Sequence, residues 1–253
     1  MQIDAPFLLV AAAGFVGGAM NALAGGGTFA TLPSLLAAGL PANVANATSN
    51  VALLPGAGTS AWTFRDELGP VGGVSYRLLA AITFVAGLVG SVLLVITPSR
   101  AFDLIIPWLV LYAFVVLAFG RAASDWLRAR VTIGSRTLMA VQFLLGIYGG
   151  YFGGGVGLMT TATYGLLAGH SPRELFAPGT LMLAIANAAA AIVFVAAGLV
   201  RWALCLPMLV GAVIGGWAGA GVGKRLPAGA VRIWTLFVTG ATTAVFFWRA
   251  YGG

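Results

Sequence analysis

Two glycine triplets, Gly25-Gly26-Gly27 and Gly153-Gly154-Gly155, cut long apolar runs at matching places in the two halves of this chain. Each glycine inside a helix costs roughly 1 kcal/mol relative to alanine, so three in a row predict a break in any helix that crosses them. After each triplet come a short apolar run, a polar turn and a helix-like segment that begins near a threonine. Paired breaks of this kind in the two halves of a membrane carrier point to a site near the bilayer midplane. Composition decides the solvent. Apolar residues make up 60% of the chain and charged residues 8%, where a soluble domain carries about 25% charged residues. One core of 253 residues cannot hide that much apolar surface, so most of it must face lipid. Segments in lipid that satisfy their own backbone are helices or closed barrels. The long unalternating apolar runs here predict helices.

Ten apolar segments follow one another over 6–24, 28–40, 43–64, 74–97 and 101–120, then 137–152, 156–168, 172–198, 202–223 and 230–249. A full crossing takes about 20 residues. The second and seventh segments are shorter than that and read as half-helices or the returning arms of re-entrant hairpins, which survive at membrane depth only inside protein or along a wet cavity. The polar stretch from Arg121 to Arg136 divides the chain. The organisation expected is therefore a first membrane repeat over 1–120, a cytoplasmic linker over 121–136 and a second membrane repeat over 137–253. An odd number of segments per half, or of full spans if each short pair is re-entrant, inserts the halves in opposite senses. The fold class expected is an all-α membrane protein, an inverted-repeat helical bundle of two five-segment halves with broken or re-entrant helices.

Basic residues orient the bundle. With the linker in the cytoplasm, Arg100, Arg201 and Arg249 fall outside, and Arg65, Arg77, Arg121, Arg128, Arg130, Arg136, Arg173, Lys224, Arg225 and Arg232 fall inside. This obeys the positive-inside rule and puts both termini outside. The net charge of +7 is thereby explained by topology, and because the basic residues flank spans rather than form one stripe, nucleic acid is excluded as a partner. Met1-Gln2-Ile3-Asp4 lacks the basic start of a cleaved signal peptide, and none is expected. The tryptophans Trp62, Trp108, Trp126, Trp202, Trp234 and Trp248 fall near segment ends, where they anchor at the interface. Gly211, Gly215, Gly219 and Gly223 recur every fourth residue and form a smooth packing face. Such stripes permit a homodimer without requiring one.

The repeat can be followed residue by residue. Gly14-Phe15-Val16-Gly17-Gly18 precedes Asn21 and Ala24-Gly25-Gly26-Gly27-Thr28, as Gly146-Ile147-Tyr148-Gly149-Gly150 precedes Tyr151-Phe152-Gly153-Gly154-Gly155. Gly39-Leu40-Pro41 is answered by Gly169-His170-Ser171-Pro172, and Ala47-Thr48-Ser49-Asn50 by Gly179-Thr180-Leu181. The pattern from Asn21 through Thr28 to Leu40-Pro41 and Ala47-Thr48-Ser49, with its second copy, resembles the TauE/SafE sulfite exporter family over nearly the whole chain. The resemblance implies a multispanning permease of the cytoplasmic (inner) membrane that exports sulfite, sulfoacetate or other small sulfur-containing anions. Leu181 stands where the first copy has Ser49, so the two copies do not offer equal polar groups.

The residues themselves support an anion. A chain that restarts a helix after a glycine turn presents free N–H groups and a partial positive charge, which hold small oxyanions without a formal cation. The candidate binding residues are Asn21, Gly25, Gly26, Gly27, Thr28, Thr48, Ser49, Asn50, Gly153, Gly154, Gly155, Thr180 and Asn187. Asn21 and Asn187 lie inside apolar segments, where an unsatisfied amide is costly. All six acidic residues, Asp4, Asp66, Glu67, Asp103, Asp125 and Glu174, sit near segment ends or in loops. Proton-coupled pumps keep a carboxylate inside the membrane, so an anion carrier is favoured over a cation or proton pump. Asn46-Ala47-Thr48 fits a glycosylation pattern but lies beside the apolar core and reads as fortuitous. His170, in a polar turn, reads as a loop residue rather than a proton relay, and Cys205 has no partner for an internal disulfide.

Two other classes were weighed. Gly58-Thr59-Ser60-Ala61 faintly resembles the nucleophile motif of intramembrane serine proteases, but that chemistry needs a nearby histidine base and His170 lies in the other half. No zinc-protease motif is present, and neither metal nor cofactor is expected. A lipid-handling or structural membrane protein is the remaining alternative, with the lipid bilayer itself as partner.

Overall fold

The computed structural model describes residues 5–128, 134–168, 174–223 and 228–252. Arg130, His170, Arg173, Lys224 and Arg225 lie outside the described residues. Ten α-helices run in chain order as α1 (Ala5–Ala24), α2 (Thr28–Ala37), α3 (Ala42–Thr63), α4 (Tyr76–Ile96), α5 (Ser99–Arg128), α6 (Ser135–Tyr151), α7 (Val156–Ala168), α8 (Phe176–Ala196), α9 (Trp202–Gly223) and α10 (Ala228–Tyr251). Among the described residues there is no strand beyond one Val71–Val74 bridge. The molecule is an all-α membrane protein with helices close to the expected segments. One difference concerns the polar divider: α5 continues through Arg121 to Arg128, so the stretch expected as linker begins as helix.

Helices α2 and α7 have 10 and 13 residues, or about 15–20 Å at 1.5 Å per residue, well short of a hydrocarbon core of about 30 Å. Among the described residues five stretches are long and apolar enough to cross: Pro6–Leu23, Tyr76–Ile96, Ser99–Phe119, Phe176–Ala196 and Trp202–Gly219. Helix α3 has the length, 22 residues, but its first half carries Asn43, Asn46, Thr48, Ser49 and Asn50. It packs against α1, α2, α5, α8 and α9, and Asn46 through Asn50 are buried. A polar helix is tolerated there because its neighbours, not lipid, surround it.

The two halves interlock, and the main pairings across them have counterparts. Helix α1 packs on α9 and α4 on α6; α3 packs on α9 and α4 on α8; α5 packs on α7 and α10 on α2. The pairs α3 with α8 and α5 with α10 map onto themselves, and α1 also touches α10. Counting α6–α10 as a second set of five, all of these pairings except α1 with α10 are reproduced when the sets are exchanged. Directions follow from residue neighbours. Gly14 and Gly18 lie on the backbone of Met208 and Ala212, and Gly211, Gly215 and Gly219 on that of Ala11, Phe15 and Ala19. Numbers rise together, so α1 and α9 run parallel. Gly146 against Thr83 and Gly150 against Gly87 make α6 and α4 parallel in the same way. By contrast α3 and α8 are antiparallel, with Asn50 on Asn187 and the ring of Phe64 edge-on to Phe176 at 4.9 Å. Helices α5 and α10 are antiparallel too, with Tyr251 bonded to the Leu104 carbonyl and Arg232 to that of Ala118.

Small residues let backbones touch at α1–α9 and α4–α6, as expected where lipid provides no hydrophobic drive between helices. The glycine stripe of α9 is occupied by α1 of the same chain. The outward faces of α4, α9 and α10 are apolar, with Val85, Val92, Val210, Trp217, Phe237 and Trp248 exposed. The fully buried centre contains Leu32, Leu35, Leu53, Phe102, Phe152, Met159 and Phe194.

Candidate functional site at the two helix breaks

The first break follows α1. Gly25 has φ +76°, a conformation that L side chains rarely adopt, and its N–H donates to the carbonyls of Met20 and Asn21 to close the helix. The Gly27 N–H donates to Asn21 Oδ1 at 2.8 Å. The Gly27 carbonyl accepts from the Thr31 hydroxyl at 3.2 Å, and Thr31 shares a 2.5 Å hydrogen bond with Ser49 of α3. Asn21 and Ser49 therefore brace the turn. Thr28, also buried, opens α2.

The second break follows α6. Gly153 and Gly155 have φ +78° and +75°. Asn46 donates from Nδ2 to the Tyr151 carbonyl at 3.1 Å, and Asn50 donates to Asn187 Oδ1 at 3.2 Å. The Tyr148 hydroxyl donates to the Gly154 carbonyl at 2.8 Å. The space above Gly153, where any other residue would carry its Cβ, lies 3.0 Å from Asn50 Nδ2, 3.5 Å from the Gly149 carbonyl oxygen and 3.6 Å from Asn187 Oδ1. A polar niche thus opens on bare backbone. Beyond it, the N–H groups at the start of α7 come before the helix's first regular bond, from the Met159 N–H to the Gly155 carbonyl, and so point outward as at any helix N-terminus. These donors at the start of α7, reinforced by the helix dipole, suit negative charge.

The two breaks meet. The side-chain position of Gly25 lies 3.4 Å from Gly157 Cα and 3.6 Å from the Leu158 nitrogen, and that of Gly155 lies 3.1 Å from the Phe29 ring at the start of α2. Between α2 and α7 is a cavity of about 10 Å³, lined by Phe29, Gly155, Leu158, Met159, Ala113, Val116, Leu117 and Thr239, which is room for about one water. Phe29 closes it, held by the bond from the Thr242 hydroxyl to the Phe29 carbonyl at 3.2 Å and packed 6.5 Å from Phe152. The buried polar side chains among the described residues are all neutral: Asn, Gln, Ser and Thr. A charged ligand here would be held by dipoles alone.

The family profile described as sulfite exporter TauE/SafE matches residues 10–246, which spans both breaks. The chain belongs to the TauE/SafE family. It is similar to the probable membrane transporter protein YfcA of Escherichia coli (strain K12), 29% identical over 87% of this chain and 78% of that one. It is similar also to the probable membrane transporter protein ORF9 of a Sinorhizobium species, 30% identical over 85% of this chain and 81% of the other. A probable membrane transporter protein of Haemophilus influenzae is 27% identical, over 82% and 81%. No solved structure gives a significant match. A TauE/SafE chain with these helices is a multi-pass membrane transporter.

Among the residues singled out in this TauE/SafE chain, Asn50 and Asn187 meet at Gly153, and Gly25 adjoins the start of α7. Gly26 contacts Phe29, and Gly154 is turned toward the Phe152 ring. Two hydroxyls are engaged elsewhere. Thr48 accepts from the Arg201 N–H at 3.0 Å, tying α3 to the start of α9, and Thr180 bonds back to the Ala177 carbonyl in its own helix. The sequence reading missed Asn46, Thr31, Tyr148 and Phe29. Asn46 carried the same signal as Asn21 and Asn187, an amide in an apolar segment, but the overlapping sequon drew attention away. The others look like ordinary helix residues until the tertiary fold sets them at a break. A second buried polar cluster was missed as well: Gln142 of α6 donates to Thr83 of α4 at 2.6 Å, and Thr83 contacts Met182 Sδ of α8 at 3.1 Å.

Proposed function

We infer that this TauE/SafE transporter carries a small oxyanion, sulfite or a short organosulfonate such as sulfoacetate, out of the cytoplasm across the inner membrane. The observation that carries this reading is the buried N-terminus of α7 at the second glycine break, whose N–H groups come before the first regular helix bond, from Met159 to the Gly155 carbonyl. An unpaired buried donor costs about 1–3 kcal/mol, and an oxyanion that accepts from several at once recovers that cost. Neutral surroundings keep binding weak enough for release. The family description supplies the sulfur-containing class. A negative-inside potential favours exit by about 2.3 kcal/mol per charge per 100 mV.

The architecture assigned to this function is an inverted repeat with both termini outside, the central polar stretch cytoplasmic, and the first break reached from outside and the second from inside. Two features support it: cross-half pairings that survive exchange of the sets of five, and the antiparallel course of the equivalent pairs α3/α8 and α5/α10. A twofold axis in the membrane plane produces both. The 10 Å³ cavity is far smaller than sulfite, so loading between α2 and α7 requires Phe29 to move away from Gly155.

Flux in proteoliposomes tests the reading. Labelled sulfite and sulfoacetate should cross at rates that saturate, and a choline control should not. Choline flux with no response to either anion would overturn it.

A further inference from the structure

We propose that the same break that takes the anion also binds a small monovalent cation, on oxygens at the C-terminal end of α6, and that the two ions are carried together. The proposal rests on the anion reading for its second half only; the cation site stands on its own atoms.

Those atoms are acceptors. Asn46 Oδ1 and Asn50 Oδ1 are buried with no hydrogen-bond partner, and their residues are 1% and 4% exposed. They stand one turn apart on α3, on one face. The orientation of the Asn46 amide is set by its donation to the Tyr151 carbonyl, so its unpaired atom is the oxygen. For the Asn50–Asn187 pair either orientation uses one amide oxygen and leaves the other. The break adds more oxygens. Because the Gly153 N–H donates to the Tyr148 carbonyl, the carbonyls of Gly149, Gly150 and Phe152 at the end of α6 have no backbone donor among the described residues. They form the negative end of α6. The Gly149 carbonyl oxygen and Asn187 Oδ1 lie together beside Gly153, with the Asn50 amide nitrogen turned to them.

An anion cannot satisfy such a set; repulsion from unpaired oxygens would expel it. A hard cation can, since amide and carbonyl oxygens are its usual ligands. Half-helix C-terminal ends in transporters present the same type of ligand. No carboxylate is buried among the described residues, which favours a single positive charge over a divalent ion. Donors and acceptors lie back to back on one break: oxygens up to Phe152, N–H groups at the start of α7. Each ion thus lowers the cost of burying the other, and by linkage each must raise the other's affinity by the same factor. The first break is not equivalent. There Leu183 packs beside Gly25 and Gly157, Asn21 is used by the Gly27 N–H, and Thr31 is bonded to Ser49 and to the Gly27 carbonyl. The cation site is therefore single.

The test is thermal unfolding of the purified protein titrated with sodium chloride against choline chloride at constant ionic strength, with and without sulfite. Sodium alone should stabilise with saturation. Its presence should lower the half-saturating sulfite concentration about 5-fold or more. Asn46→Leu should lose the sodium response, and Asn46→Asp, which keeps the oxygen and adds charge, should bind sodium more tightly. Equal responses to sodium and choline in the wild type, or an unchanged sodium response in Asn46→Leu, would overturn the site. If Asn46→Leu fails to fold, weaker or absent sodium binding by Asn46→Asp overturns it. Stabilisation by sulfite with no sodium effect would sink the cation proposal and leave the anion reading intact; sodium binding with no sulfite effect would do the reverse.

Discussion

Replacing Gly153 with alanine puts one methyl group into the polar niche, and the structure allows its cost to be worked out. The residue has φ +78°, where an L residue costs roughly 1–2 kcal/mol. The new Cβ would sit 3.0 Å from Asn50 Nδ2 and 3.5 Å from the Gly149 carbonyl. Asn50 must give way, and its bond to Asn187 at 3.2 Å, worth about 0.5–1.5 kcal/mol net, is lost or stretched. The total of about 1.5–3.5 kcal/mol separates into a strain part and a niche part, because Gly198→Ala supplies a control. Gly198 has φ +68° and nothing within 4 Å of its Cβ position, so it carries the strain alone. Thermal unfolding of both variants, with anion flux in proteoliposomes at matched protein content, gives the comparison. Both should lose stability, and Gly153→Ala should lose more. Flux should fall at least about tenfold in Gly153→Ala, as about 1.4 kcal/mol of lost binding requires, and stay near wild type in Gly198→Ala. Wild-type flux in Gly153→Ala, or an equal loss in Gly198→Ala, would refute the assignment of the niche.

Three further outcomes are expected. Asn21→Leu leaves the Gly27 N–H buried and unpaired and should destabilise by about 1–3 kcal/mol, read as a lower midpoint in thermal unfolding. Gly215→Leu drives a side chain into the backbone of Phe15 and should split α1 from α9 and abolish folded protein, whereas Gly216→Ala, whose nearest neighbour is at 3.7 Å, should behave as wild type in size-exclusion profiles. Removing the Asp103–Arg249 pair, 3.3 Å apart on a half-exposed surface, should change stability by no more than about 1 kcal/mol, checked with Asp103→Asn.

Most of the secondary structure was legible in the chain. Segments expected over 156–168 and 202–223 coincide with α7 and α9, and the short second segment is α2. Lipid forces each apolar run to satisfy its own backbone, so run length and glycine position map directly onto helix length and helix end. Breaks at Gly25 and Gly153 could be placed because only glycine takes positive φ without strain and two copies of the pattern appear in order. The extension of α5 to Arg128 was hidden because polar residues at a membrane surface make helix as readily as loop.

What each polar residue does was settled by packing. Sequence put Asn21, Ser49, Thr48, Thr180, Asn50 and Asn187 in one class, small polar groups near a break. The fold divides them: Asn21 and Ser49 hold the first turn, Thr48 ties α3 to the start of α9, Thr180 bonds within its helix, and Asn50 with Asn187 faces Gly153. A hydrogen bond is shorter-ranged than a helix is wide, so its partner depends on which neighbour lies across a contact of a few ångströms. Asn46 and Tyr151 are 105 residues apart in sequence yet bonded at 3.1 Å, and no local pattern carries that distance. The chain by itself determined how many helices form, where two of them break and that lipid surrounds them, because those follow from each segment's own backbone and solvent. Which oxygens and N–H groups remain unpaired at the meeting of the breaks, and hence what charge the site can hold, was decided only when α3 and α8 came together over Gly153.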